Sequence, residues 1–201
     1  MLPLAMLARR STGTVGRPSR LAILAGLAFA LDLGFWHNGI ANTSVAKATV
    51  LGNLTPVVVT AMSWIIFKQR PTRLFLLATG LSVAGAWTMA AARGLGSVGP
   101  NPLLGDALSL VAAFWYALYF LAVGAARHTE GATQIMFWSA LTGAPLLLGA
   151  ALLLGERIDP VTSIGWAACV GLGVMHVVGQ GAIAWALGRL PPATTAVTVL
   201  V

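Results

Sequence analysis

Asp32 lies well inside an apolar run, with Leu31 and Leu33 on either side. An ionised carboxylate near the centre of a membrane helix costs about 2.5–3.5 kcal/mol on insertion scales, so it faces a bundle interior or a wet cavity. Two roles fit. Asp32 either takes up and releases a proton or hydrogen-bonds a neighbouring helix as part of the packing. His176 and Gln180 stand one helical turn apart in a later apolar run, hence on one face. They either contact a solute across from Asp32 or form an interhelical hydrogen-bond pair worth about 0.6–2 kcal/mol. Trp115, Tyr116 and Tyr119 gather on one side of another run. Their π faces and hydroxyls suit an organic cation, an amine or an aromatic metabolite, although ordinary packing accounts for them as well. Asp32, Phe35, Trp36 and Gly39 share a helical face from which His37 and Asn38 turn away. Trp36 therefore either walls the same cavity or serves as a packing or interface aromatic.

The stretch TSVAKATVLGNLTP, residues 43–56, places Asn53 and Pro56 inside a long apolar run. Proline removes one backbone hydrogen bond and loosens the helix, and membrane helices tolerate it where neighbouring groups satisfy the freed carbonyl. Asn53 and Thr55, in the preceding turn, are placed to do so. The expectation is a bend facing a helix interface, of use to a rocking transport helix, or simply a kink. Lys47 is expected to snorkel to the outer interface, and Asp106 to favour the positive end of a helix dipole. The pairs Gly80/Ala84 and Ala167/Gly171 have the small-xxx-small spacing of close helix contacts.

Such residues need a membrane bundle to hold them, and the composition supplies one. The chain is 58% hydrophobic and 8% charged, against about 25% charged in soluble domains, with a mean hydropathy of +0.86. The net charge of +7 is spread singly and in small groups between apolar runs, which argues against a nucleic-acid face. One cysteine, Cys169, precludes an intrachain disulfide, and neither CxxC nor HExxH is present to bind a metal. The opening MLPLAMLARRS lacks the basic n-region of a signal peptide.

Apolar runs bounded by charge, Gly or Pro predict six complete crossings: 21–40, 45–67, 74–92, 103–126, 133–154 and 164–187. Residues 1–8 read as the end of a helix. Residues 191–201 read as the start of another, too short for the roughly 20 residues of a crossing, so the chain is expected to be truncated at both ends. Arg9, Arg10, Arg17, Arg20, Lys68, Arg70, Arg73, Arg127 and Arg189 fall on one side, and Lys47, Arg93 and Arg157 on the other. The first side is predicted to be cytoplasmic. Setting residues 24–54 beside 171–201 aligns Gly26 with Gly173, Gly34 with Gly181, Ala46 with Ala193 and Val50 with Val197. The matched segments start on opposite sides, the pattern of inverted repeats with a midplane site between them.

FALDLGFWHNGIANTSVAKATVLGNLTPVVVTAMSWIIFKQRP (29–71) resembles the latter half of an EamA domain of the drug/metabolite transporter superfamily. GDALSLVAAFWYALYFLAV (105–123) resembles the first helix of a second EamA domain, and GQGAIAWALGRLPPATTAVTVLV (179–201) its third helix and the start of its fourth. The resemblance implies an all-α, polytopic transmembrane bundle of two inverted five-helix repeats, incomplete here. Residues 1–92 would hold the end of helix two and helices three to five, 93–102 a linker, and 103–201 helices six to eight with the start of helix nine. It further implies a secondary transporter, a permease or exporter of small organic metabolites or drugs by alternating access, multi-pass in the inner membrane. Proton coupling is open, lipid is the surrounding partner, and neither ATP nor an organic cofactor is needed. A non-transporting gene fragment or membrane scaffold is the alternative; oligomeric state is not legible. Where the family often carries Gly-Glu before the basic residues ending helix four, this chain has FKQRP, with Gln69 in place of the acid. Asp32, Trp36, Asn53, Pro56, Trp115, Tyr119, His176 and Gln180 are the candidates for a solute or proton pathway.

Overall fold

The computed structural model describes residues 16–68, 70–92 and 99–199. The helix expected over 1–8, most of the 93–102 connection and Gln69 lie outside them. Each apolar run becomes a helix, and polar side chains start most of them. Ser19 accepts a hydrogen bond from the Ala22 amide at 3.0 Å and opens α1, Arg20–Asn42. Ser44 accepts from the Lys47 amide at 3.2 Å and opens α2, Val45–Gly52. The chain turns at Asn53 and Leu54 into α3, Thr55–Phe67, which ends at Lys68 in the left-handed conformation (φ 55°). Thr72 accepts from the Phe75 amide at 3.2 Å at the start of α4, Arg73–Ala92. Asn101 caps α5, Pro102–Ala126. Then come α6, Ala132–Leu153, α7, Ser163–Leu187, capped by Thr162, and α8, Pro192–Thr198. These side-chain caps satisfy amides that a helix start otherwise leaves without partners.

Five helices are long and apolar enough to cross a membrane, counting α2 and α3 as one span over Val45–Phe67. The remaining expected crossing, 74–92, forms α4, whose apolar stretch runs over Arg73–Gly85. Among the described residues the fold is an all-helical bundle centred on α5. One face of α5 meets α1, α2 and α3, while α1 also lies along α6. The core is built from Ala22, Ala25 and Ala28 of α1, Tyr119, Phe120 and Val123 of α5, and Ile135 of α6.

Small residues set these distances, though not the pairs expected. A Cβ on Gly80 or Gly171 would meet nothing within 4 Å, and Ala84 and Ala167 are exposed. Both spacings therefore face open space. Close approach occurs instead where α1 crosses its neighbours. A Cβ on Gly26 would come 2.5 Å from the Ser139 carbonyl oxygen of α6, and one on Gly105 would come 2.7 Å from the Thr43 nitrogen. In lipid, where apolar side chains gain nothing by leaving water, such backbone proximity is what drives association. Ser139 adds a hydroxyl donating to the Ala22 carbonyl at 3.0 Å.

Each end of the bundle is tied by polar groups. At one, Lys47 Nζ lies 2.5 Å from Asp106 Oδ2, and the Thr43 hydroxyl donates to Asp106 Oδ1 at 3.1 Å. Asp106 thus lies just beyond the first turn of α5, where the helix dipole was expected to hold it, and serves as the counter-ion of Lys47 across helices. At the other end Arg127 donates from Nε to the Ala184 carbonyl at 3.0 Å and from its guanidinium to the Glu130 carbonyl, joining α5 to α7. Trp138 Nε1 donates to the Gly16 carbonyl at 2.9 Å there.

Candidate functional site

A gap between small residues opens where α1, α5, α6 and α7 converge. Ala140, Gly143 and Ala144 of α6 project too little to reach α7, which leaves a cavity of ≈ 230 Å³. Its walls carry Phe29 and Leu33 from α1, Tyr119 from α5, Met136 and Ser139 from α6, and His176 and Gln180 from α7. Phe29 is the hinge of the aromatic wall. Its ring centroid is 5.1 Å from that of Tyr119 and 5.1 Å from the imidazole of His176, both tilted. Tyr116 stacks parallel to Tyr119 at 5.8 Å. The Tyr119 hydroxyl is fully enclosed and donates to Met136 Sδ at 3.7 Å. The Tyr119 phenol of this wall is therefore already engaged.

Gln180 differs. Its side chain adjoins the Tyr116 hydroxyl, yet its Oε1 is buried without a hydrogen-bond partner. A buried acceptor left unpaired costs about 1–3 kcal/mol, so this oxygen is open to a hydrogen-bond donor.

The eight residues singled out in the sequence separate into four groups. Tyr119, His176 and Gln180 meet in the cavity. Asp32 is half-buried one turn from Phe29, within electrostatic reach of Tyr116. It is not among the lining residues, and among the described residues the ion pairs are Lys47–Asp106 and Arg157–Asp159, so no cation neutralises it. Trp36, Asn53 and Pro56 belong together at the break between α2 and α3. Trp36 lies edge-on to His37 at 5.4 Å, and its Nε1 is 4.0 Å from where a Cβ on Gly52 would stand. Pro56 is fully buried. It occupies the first turn of α3 rather than the middle of one long helix, so the expected bend is a full interruption. Thr55 Oγ1 donates at 2.7 Å to the Gly52 carbonyl, the very acceptor that Pro56 cannot serve. The Asn53 amide bonds back to Thr49 at 2.9 Å. Trp115 stands apart, edge-on to Phe114 at 5.7 Å and packed against the core without lining the cavity.

Sequence reasoning passed over Phe29, Leu33, Met136, Ser139 and Gly143. The helical face had been followed forward from Asp32 and not back one turn to Phe29. The α6 residues carried a readable signal, since Met136, Ser139, Gly143 and Leu147 recur at helical spacing. Among the described residues no group of three or more His, Cys, Asp or Glu could hold a metal.

Five long apolar spans define a polytopic helical membrane protein. The family model that matches is the EamA-like transporter family, over residues 1–91 and 103–201, and the chain belongs to that family. A solved crystal structure described as "Crystal structure of protein" is similar at 17% identity with a TM-score of 0.80, covering 98% of this chain and 69% of the other. That likeness carries the fold. No curated protein sequence matches the chain.

Proposed function

We propose that the protein is a secondary transporter that moves a small organic solute across the cell's inner membrane by alternating access, as a permease or exporter. The observation that carries this reading is the unpartnered Gln180 Oε1 facing a chamber walled by Phe29, Tyr119 and His176. Its chemistry favours a flat aromatic or cationic solute bearing a donor, an amine above all. Asp32 stands beside that wall as the carrier of a coupled proton, and the break at Asn53–Pro56 lets α2 and α3 move separately as access alternates. The two stretches matched by the family, on either side of the 93–102 connection, accord with two inverted repeats meeting at this site.

Proteoliposomes loaded with an aromatic amine test the reading. The protein should carry the amine down its gradient and distinguish it from the matching aromatic hydrocarbon. Gln180→Ala should lower amine flux about tenfold, the loss of one buried hydrogen bond. A protein that moves no solute from a panel of amines, aromatic acids and cations would instead be a membrane scaffold.

A further inference from the structure

A second cavity, of ≈ 300 Å³, opens at the basic end of the bundle, away from the aromatic chamber. It lies where α3, residues 70–72, the start of α4 and the start of α8 meet. Thr60, Ser63, Arg70, Thr72, Phe75 and Thr194 are among its walls. Donors predominate there. Arg70 makes no hydrogen bond or ion pair among the described residues, and no carboxylate lines the space. The Thr72 oxygen accepts from the Phe75 amide, which leaves its proton free to be given outward. Thr60 has spent its proton on the Pro56 carbonyl at 2.6 Å. The first turn of the 20-residue α4 lies beside Thr72, and helix starts present unbonded amides and partial positive charge.

Ser63 supplies the independent sign. It is only 3% exposed, it lines this cavity, and its Oγ has no hydrogen-bond partner. Serine inside a helix ordinarily donates to the carbonyl four residues back, as Thr60 does one turn earlier. A buried hydroxyl without that bond is available to something in the cavity.

We infer that this cavity is a binding site for a phosphate oxyanion, held by Arg70, Ser63 and Thr72 beside the start of α4. Arg is the side chain best shaped for phosphate, and a helix start is a ready anion site. Basic pockets between transmembrane helices at the membrane surface take anionic headgroups. The same chemistry is offered by a phospholipid headgroup or by free phosphate, and experiment separates the two. Neither source depends on the solute proposed for the aromatic chamber.

The purified full-length protein, stripped of lipid, is offered phosphatidylglycerol or phosphatidylcholine and examined by native mass spectrometry, while its melting is followed in inorganic phosphate. If the site holds a headgroup, phosphatidylglycerol is retained in preference, and Arg70→Gln lowers retention about fivefold. Arg157→Gln, at the opposite end, leaves it unchanged. If the site holds free phosphate, inorganic phosphate raises the melting temperature of the wild type, Arg70→Gln abolishes the rise, and the two lipids are retained alike. In either case Ser63→Val keeps or raises the melting temperature without ligand, because it removes an unpaired buried hydroxyl, yet weakens the response to the anion. Equal retention of both lipids together with no phosphate response overturns the inference. So does an Arg70→Gln variant that binds as the wild type does.

Discussion

Asp32 carries the least compensated charge in the membrane-spanning part. It has no cation or hydrogen-bond donor among the described residues, and an ionised carboxylate at such depth costs about 2.5–3.5 kcal/mol. The proposed transport cycle uses such a group to exchange a proton with the solute in the neighbouring chamber. Asp32→Asn keeps the volume and removes the titration. In proteoliposomes the variant is expected to lose solute-driven pH change while melting within a few degrees of wild type. Normal proton-coupled flux in Asp32→Asn would return the residue to a packing role. Residues of this kind were legible in the sequence because they are outliers: an acid, an imidazole, an amide and a phenol stand out in apolar runs. Phe29, Ser139 and Gly143 were not, since nothing in their types separates a cavity wall from ordinary packing. Trp115 shows the converse. Its type fitted the chamber, but its phase on α5 points it elsewhere.

Elements were more legible than their contacts. Runs of apolar residues located every helix to within a few residues, because lipid requires each span to satisfy its own backbone. Which glycines meet another helix was not legible. With 23 glycines in the chain, small-xxx-small spacing arises often, and only the neighbouring backbone decides which instance is used. Gly26 faces the Ser139 carbonyl, whose atoms cannot give way, whereas Gly80 faces open space. Gly26→Val should therefore cost about 1–3 kcal/mol as overpacking at a tight contact, read as a clear fall in the detergent melting temperature. Gly80→Val should leave melting essentially unchanged. Equal effects of the two variants would mean that α1 and α6 are not packed as described. The interruption of α2 and α3 was half legible: proline announced a disturbance and Thr55 its remedy. Whether it bends one helix or makes two depends on the turn at Asn53 and Leu54.

For the whole molecule, the helices divide their burial unevenly. α5 is enclosed on most of its length, while α7, matched to α1 in the repeat alignment, buries only Ala184 and Leu187. Its apolar outer face belongs against lipid or further helices, which is why charge rather than burial must orient the bundle. Alternation of the spans brings Arg20, Arg70, Arg127 and Arg189 to one end and Lys47 and Arg157 to the other, the same partition of basic residues that the sequence gives by counting connections. The first end should be cytoplasmic by the positive-inside rule. Two single cysteines settle the matter in a Cys169→Ala background: His128→Cys, in the turn between α5 and α6, and Asp159→Cys, between α6 and α7, both exposed. A membrane-impermeant maleimide added to intact cells should label Asp159→Cys and spare His128→Cys. Inside-out vesicles should give the reverse. Labelling of both from one side would break the alternation of spans and with it the proposed inverted arrangement of the two halves. Labelling with the sides exchanged would keep the fold but place the Arg70 cavity at the outer surface.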